Sequence, residues 1–207
     1  MIDIKKPQDF KRFGDFIEKL ESYPHTEEQV ILYGSSFFTE WKYEIVRDNL
    51  SWDKFSVINH GFGGALVDDL LYYYGRLVKP YKPKAVVIRA GVNDIASGYD
   101  PKDVINLLYR LCAWCEADFP EVKIVLLPIF DVPKPEFENC RKGFAEFNRM
   151  CYEIAEQISR ILVMDINDLF YKNPADVGTY QNFKDIFRND GLHLTEHGYD
   201  EIGPRIK

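Results

Sequence analysis

The sequence contains no apolar stretch long enough to cross a membrane. A transmembrane helix needs about 20 consecutive apolar residues, and no run within these 207 residues reaches that length. The opening segment, MIDIKKPQDFKRFGDFIEKL, also lacks the apolar core of a secretory signal peptide. We therefore expect a soluble cytoplasmic protein that does not bind a membrane.

The sequence also has fewer basic than acidic residues. The chain has 26 Lys and Arg residues against 33 Asp and Glu residues, so its formal net charge is −7. Binding to the phosphates of a nucleic acid requires a basic surface. This composition argues against a nucleic-acid partner, leaves a small-molecule substrate open, and carries no signal of an oligomeric state.

Cysteine is scarce, and its arrangement does not favour a redox or metal site. Two of the four cysteines, Cys112 and Cys115, form a C-x-x-C pair, which can bind zinc or act as a redox site. No second pair is present to complete a zinc site, and the first lies in the helical pattern VINLLYRLCAWCEADF. At this spacing both side chains share one helix face, where free Cys packs as a small apolar residue. We expect no metal and no cofactor.

Short apolar runs alternate with helical patterns along the chain. The predicted strands are VILY, FSVIN, AVVIRA, VKIVLLPI and ILVMDI, at residues 30–33, 55–59, 85–90, 122–129 and 161–166. Nearly continuous apolar strands are typical of a parallel sheet covered by helices on both faces. We predict a three-layer α/β/α sandwich with about five parallel strands. Without a linker or repeat, residues 1–207 are expected to form a single domain in which residues 1–29 are an N-terminal helical extension.

Amphipathic or helix-like patterns occupy the segments between the strands. Helices are predicted over residues 8–22, 39–50, 65–78, 101–119 and 136–160. A closing helix is predicted from Thr195, with Pro204 limiting its length. The aromatic segment 167–187 is predicted to be irregular.

Polar residues and glycines follow four of the predicted strands. They are Gly34-Ser35-Ser36 after the first strand, Gly61, Gly63 and Gly64 after the second, Gly91, Asn93 and Asp94 after the third, and Asp190 and His193 after the fifth and its loop. Because ligands bind at the carboxyl ends of parallel strands, we expect these clusters to lie at one edge of the sheet.

The chemistry of these clusters fits a serine hydrolase. A serine hydroxyl becomes a strong nucleophile when a neighbouring base takes its proton. Ser36 can be that nucleophile, His193 the base, and Asp190 the residue that fixes the tautomer of His193. The negative oxygen of the intermediate would bind to the backbone N–H groups of Ser36 and Gly64 and to the side-chain amide of Asn93.

Each cluster taken alone also has a purely structural explanation. Ser36 could cap a helix, the glycines of GFGG could form a turn, Asn93 with Asp94 could form a turn or cap, and Asp190 with His193 could be a surface pair. Their joint occurrence, in this order and each after a strand, favours the catalytic interpretation.

The four clusters resemble the sequence blocks of the SGNH, or GDSL-like, hydrolase family. The first block reads Gly34-Ser35-Ser36, so Ser35 stands where the family usually has Asp. The third block, G-x-N-D, and the fifth, D-x-x-H, match without departure. The resemblance extends over about residues 30–200 and implies a flavodoxin-like sandwich and a serine esterase mechanism without a metal ion.

The resemblance leaves the substrate open. We expect a short-chain acyl or acetyl esterase that acts on a small-molecule ester, such as an acylated carbohydrate. The alternatives are a lysophospholipase or thioesterase of the same family, and a non-catalytic module that binds acylated ligands at a degenerate site. A nucleotide- or flavin-binding protein is disfavoured because GSSFFTE lacks the glycines and Lys of a phosphate-binding loop.

Overall fold

The centre of the fold is a sheet of five parallel strands. A computed structural model describes residues 10–24, 26–42, 46, 50 and 56–207. The strands are β1 (Val30–Gly34), β2 (Val57–Gly61), β3 (Ala85–Arg89), β4 (Lys123–Leu126) and β5 (Ile161–Val163). They lie in the order β2-β1-β3-β4-β5 and all pair in parallel. This is the flavodoxin-like, doubly wound order, so the prediction of a three-layer α/β/α sandwich is confirmed.

Helices connect the strands. They are α1 (Gly14–Glu21), α2 (Ser36–Thr39), α3 (Val67–Leu77), α4 (Val92–Ala96), α5 (Pro101–Asp118), α6 (Arg141–Gln157) and α7 (Glu196–Ile206). Turns of 3₁₀ helix cover Phe10–Phe13, Lys79–Tyr81, Pro135–Cys140, Asn167–Phe170 and Pro174–Asp176. Half of the helix predicted over 39–50, at positions 43–45 and 47–49, lies outside the described residues. None of the described helices is long and apolar enough to span a bilayer.

The closing helix α7 extends past Pro204, which the sequence analysis expected to limit it. A proline removes one backbone hydrogen bond, but its fixed φ suits a helix. The last turn therefore continues, and the N–H of Lys207 donates to the carbonyl of Gly203 at 2.9 Å.

Two hydrophobic cores lie on the opposite faces of the sheet, because successive side chains of a strand point to opposite sides. Ile31 and Ile88 belong to the core that α1, α3, α5 and α6 cover. Leu32 and Val87 belong to the second core, which α2 and α7 cover. The second core is therefore built around the helix that begins at Ser36.

The C-x-x-C pair lies in the first core. Cys112 and Cys115 are fully buried in α5, and neither forms a disulfide. Burial raises the pKa of Cys115 to about 12, so its thiol stays protonated at neutral pH. Both cysteines pack as small apolar side chains.

The N-terminal helix α1 packs against α3. Ile17 and Leu20 of α1 are buried in the first core. Just before α1, the guanidinium of Arg12 donates to the buried carboxylate of Asp69 at 2.6 Å. The extension therefore covers the sheet face opposite α2.

Candidate active site

Ser36 is the first residue of α2 and follows the end of β1 by two positions. Strand β1 ends at Gly34, where a side chain has no room: a Cβ atom would lie 2.2 Å from the carbonyl oxygen of Arg89 on β3. Ser35 occupies the N-cap position of α2 but makes no side-chain cap hydrogen bond. The described contacts thus give no support to a capping role for the serines.

Side chains from distant parts of the chain hold α2 in place. A helix of four residues is not stable by itself. The buried amide of Asn59, on β2, donates to the carbonyls of Phe38 and Trp41 at 2.7 and 2.8 Å. The hydroxyl of Tyr199, on α7, donates to the carbonyl of Phe37 at 2.7 Å. These bonds fix the position of Ser36 relative to the edge of the sheet.

Asp190 and His193 form a compact pair in the loop before α7. The Oδ2 atom of Asp190 lies 2.6 Å from Nδ1 of His193, and its Oδ1 atom accepts the backbone N–H groups of Leu192 and His193 at 2.9 and 3.0 Å. Partial burial raises the pKa of Asp190, but the hydrogen bonds from His193 and Leu192 outweigh that effect and hold the pKa well below its usual value. The ionised carboxylate therefore orients the imidazole and leaves Nε2 for other partners.

Arg188 braces this loop and connects it to the Ser36 segment. Its backbone N–H donates to the carbonyl of His193 at 2.7 Å, and its Nε donates to the carbonyl of Leu194 at 2.9 Å. Its guanidinium also pairs at 2.7 Å with Glu40, the residue that follows α2. The loop that carries His193 is thus attached to the end of the helix that carries Ser36.

Asn93 and Asp94, at the start of α4, are bonded to the loop that contains Gly64. The Nδ2 atom of Asn93 donates to the carbonyl of Ala65 at 3.0 Å, which leaves its second N–H. The Oδ1 atom of Asp94 accepts the N–H of Val67 at 3.0 Å, at the first residue of α3. The two side chains therefore join the end of β3 to the loop after β2.

Three of the predicted site residues line one cleft. Ser36, Asn93 and His193 border a cleft of about 30 Å³ at the carboxyl edge of the sheet. Gly64 is not among the residues that line it. Gly64 has a φ of +79° and lies in an exposed turn; a Cβ on the preceding Gly63 would lie 3.8 Å from the Cβ of Ser36. The structure thus brings the first, third and fifth blocks to one cleft, and of the second block it places Gly63, rather than Gly64, close to Ser36.

The sequence analysis missed one charged residue of the cleft. Arg89, the last residue of β3, lines the cleft and is only 4% exposed. The sequence pattern places it within the predicted apolar strand AVVIRA. A charged residue inside a strand buried on both faces was the signal that could have identified it. Within the described part of the chain, no three His, Cys, Asp or Glu side chains are grouped as metal ligands would be.

The carboxyl of Asp94 has an electrostatic environment unlike that of Asp190. It is 3% exposed, and its Oδ2 atom has no hydrogen-bond partner among the described residues. Burial raises the pKa of Asp94 to about 7 from an ordinary value of 3.8. Between pH 3.8 and about pH 7, Asp94 keeps its proton in the folded protein but loses it in the unfolded chain. Protonation of Asp94 therefore contributes fully to the free energy of unfolding below about pH 4, and this contribution is lost as the pH rises through 7.

We expect Asp94→Asn to gain stability relative to the wild type as the pH rises. The amide keeps an acceptor for the N–H of Val67 but does not ionise. The difference in free energy of unfolding between variant and wild type should shift by about 2–3 kcal/mol in favour of the variant between pH 5 and pH 8.5. Urea titrations at both pH values measure this, with Asp185→Asn, at an exposed position, as the control. A difference that does not change with pH would contradict the expectation.

A comparison with models of protein families assigns the chain to one family. The model of the GDSL-like Lipase/Acylhydrolase family matches residues 31–201. No curated protein sequence matches the chain at a significant level.

Solved structures share the fold over nearly the full chain. A candidate acylhydrolase from Bacteroides fragilis NCTC 9343 is 20% identical with a TM-score of 0.77, over 97% of this chain and 96% of its own. A GDSL-like lipase from Bacteroides thetaiotaomicron VPI-5482 is 19% identical with a TM-score of 0.77, over 96% of each chain. An acetyl xylan esterase is 20% identical with a TM-score of 0.69, over 86% of this chain and 97% of its own.

Proposed function

Since this chain belongs to the GDSL-like lipase/acylhydrolase family and is an ester hydrolase, we propose that Ser36 is its nucleophile, His193 its base and Asp190 the residue that orients His193. The observation that carries this proposal is the cleft that Ser36 and His193 line together, with Asp190 bonded to the far ring nitrogen of His193. We propose in addition that the N–H groups of Ser36 and Gly64 and the amide of Asn93 bind the oxyanion.

The reaction then proceeds in two transfers. The Oγ atom of Ser36 attacks the ester carbonyl while Nε2 of His193 takes the hydroxyl proton. Collapse of the tetrahedral intermediate breaks the bond to the alcohol, which leaves with the proton from His193. Water attacks the acyl-serine, gives one proton to His193, and the intermediate releases the carboxylic acid as Ser36 regains its proton. Asp190 stays ionised throughout and stabilises the imidazolium of His193.

The dimensions and lining of the site support a short acyl group. The cleft beside Ser36 has room for about two water molecules. The larger pocket that adjoins it is lined by aromatic side chains such as Phe130, Phe137 and Phe144 together with arginine, aspartate and asparagine, a lining that suits an alcohol portion with both apolar and polar groups. An acetyl xylan esterase is among the proteins that share this fold. We therefore propose a short-chain acyl or acetyl esterase whose alcohol portion is polar, such as a carbohydrate.

The acyl preference separates this proposal from a lysophospholipase or thioesterase. We expect kcat/KM for p-nitrophenyl acetate to exceed that for p-nitrophenyl octanoate by about tenfold or more, because the small cleft beside Ser36 has no room for an octanoyl chain, which would compete with the alcohol portion for the larger pocket. Steady-state rates corrected for spontaneous hydrolysis measure this. A preference for octanoate would favour the long-chain alternatives, and no turnover of either ester would favour the non-catalytic one.

A further inference from the structure

A pocket of about 460 Å³ lies directly beside the Ser36 cleft. The two cavities share Arg89, Val92, Phe130 and Leu192 as walls. The volume is within the usual range for small-molecule sites. A substrate whose ester group sits at Ser36 would therefore extend past Arg89 into the larger pocket.

Arg89 is a buried cation that has no acidic partner in the part of the chain that the structure describes. Its guanidinium lies over the ring of Phe130, 4.4 Å from the centroid, and 5.7 Å from the centroid of Phe37. Its buried Nε has no hydrogen-bond partner, and among the described residues no carboxylate pairs with it. Burial lowers the pKa of Arg89 to about 10, so the group stays charged at neutral pH. A desolvated cation of this kind is costly unless an anion compensates it.

The other two cations that line the larger pocket already have partners. Arg141 pairs with Glu138 and lies 3.5 Å from the ring centroid of Tyr180. Arg149 pairs with Glu153 one helical turn away. Neither side chain is buried as Arg89 is, so a charge that enters the pocket meets one uncompensated cation at the boundary with the cleft.

The two carboxylates that line the pocket are also occupied by donors within the protein. The Oδ2 atom of Asp131 accepts three hydrogen bonds, from Asn167, Tyr171 and Gly178. Asp165 accepts one from the hydroxyl of Tyr152 at 3.0 Å and one from the N–H of Asn167 at 2.8 Å. Both are therefore fixed in place by their donors and neither is an ion-pair partner of Arg89.

We propose that the substrate carries a carboxylate or phosphate group on its alcohol portion and that Arg89 binds this group at the boundary between the two cavities. The inference rests on the proposed hydrolysis at Ser36, because it concerns the substrate of that reaction. It narrows the substrate class from a polar ester to an anionic one, and it gives a role to a cation that the acyl-transfer chemistry does not use.

Matched pairs of acetate esters test the inference. The first pair is 4-acetoxybenzoate and its neutral methyl ester, and the second is 4-acetoxyphenyl phosphate and its neutral dimethyl ester, so the two arms distinguish carboxylate from phosphate. For at least one pair, the ratio of kcat/KM for the anionic to the neutral ester should be about 10- to 100-fold higher in the wild type than in Arg89→Met. Arg89→Lys should retain part of the ratio. Comparing ratios between enzymes cancels the intrinsic reactivity of each ester.

The control variant is Arg160→Met, which removes an arginine that pairs with Glu121 away from both cavities. It should keep the wild-type ratios. An Arg89→Met ratio equal to that of the wild type in both pairs would overturn the inference while the proposed function stands. If the wild type hydrolyses none of the four esters, the proposed function is overturned instead.

A measurement on the wild type alone keeps the test decisive if Arg89→Met folds poorly. The products 4-hydroxybenzoate and 4-hydroxyphenyl phosphate should inhibit hydrolysis of p-nitrophenyl acetate, and at least one should do so about tenfold more strongly than methyl 4-hydroxybenzoate. The difference should shrink as salt is added, because salt screens the charge. Equal inhibition by the anionic and neutral phenols would overturn the inference.

Discussion

Ser36→Ala should lower kcat for p-nitrophenyl acetate by about 10⁴- to 10⁶-fold while the protein stays folded. The loss is large because the members of a catalytic triad act as a unit, so removing the nucleophile leaves only binding and oxyanion stabilisation. The hydroxyl of Ser36 takes part in no hydrogen bond among the described contacts that hold α2. Steady-state kinetics with a thermal melt measure both parts of the prediction.

Ser35→Ala is the matched control, because it removes the neighbouring hydroxyl from the same turn. It should retain activity within a few-fold of the wild type. A fluorophosphonate probe followed by peptide mapping should label Ser36 in the wild type and in Ser35→Ala. Labelling on Ser35, or full activity in Ser36→Ala, would show that Ser36 is not the nucleophile.

Asn93→Ala should lower kcat by about 10²- to 10³-fold with little change in KM. An oxyanion donor stabilises charge that exists only in the transition state, and removing one such donor typically has an effect of this size. The same amide holds the carbonyl of Ala65 at 3.0 Å, so a modest loss of stability should accompany the kinetic loss. Steady-state kinetics together with a thermal melt separate the two effects.

Asn173→Ala provides the comparison for Asn93→Ala. Asn173 also makes a side chain–backbone hydrogen bond, to the N–H of Ala175, but lies outside the cleft. Its loss should affect only the melting temperature. A normal kcat with a lowered melting temperature in Asn93→Ala would make Asn93 a structural residue and would weaken the proposed oxyanion site.

The architecture could be predicted from the sequence because strands β1, β2 and β3 are buried on both faces. Each of the five apolar runs overlaps one strand, and four of the five strands begin within one residue of the predicted start. The C-terminal ends of the strands were harder to predict than their starts. Strand β5 is an edge strand that stops at Val163, yet the run ILVMDI continues to Ile166. Ile166 is apolar because it packs in the second core after the chain has left the sheet, which periodicity cannot distinguish.

The candidate site was predictable only where residue order and sheet topology together determine position. The convergence of Ser36, Asn93 and His193 on one cleft follows from the rule that parallel strands end at the same edge. The large pocket was not predictable, because its walls come from separate segments between Arg89 and Leu192 that only the folded chain brings together. The burial of Arg89, and its lack of an acidic partner among the described residues, depend on those same contacts.

The hydrogen bond from Tyr199 to Phe37 has a consequence for the order in which the protein becomes active during synthesis. These residues are 162 positions apart, whereas Asp190 and His193 are only three apart. Short-range contacts have a low entropic cost of closure and form early, and contacts between distant segments form late. On the ribosome the chain emerges from its N-terminus, so all five strands are made before Tyr199 is. A nascent chain whose sheet is complete therefore has the Asn59 bonds to α2 but still lacks the bond from Tyr199 and the Asp190–His193 pair. If Ser36 and His193 act as proposed, esterase activity begins only after the segment from Asp190 to α7 has docked.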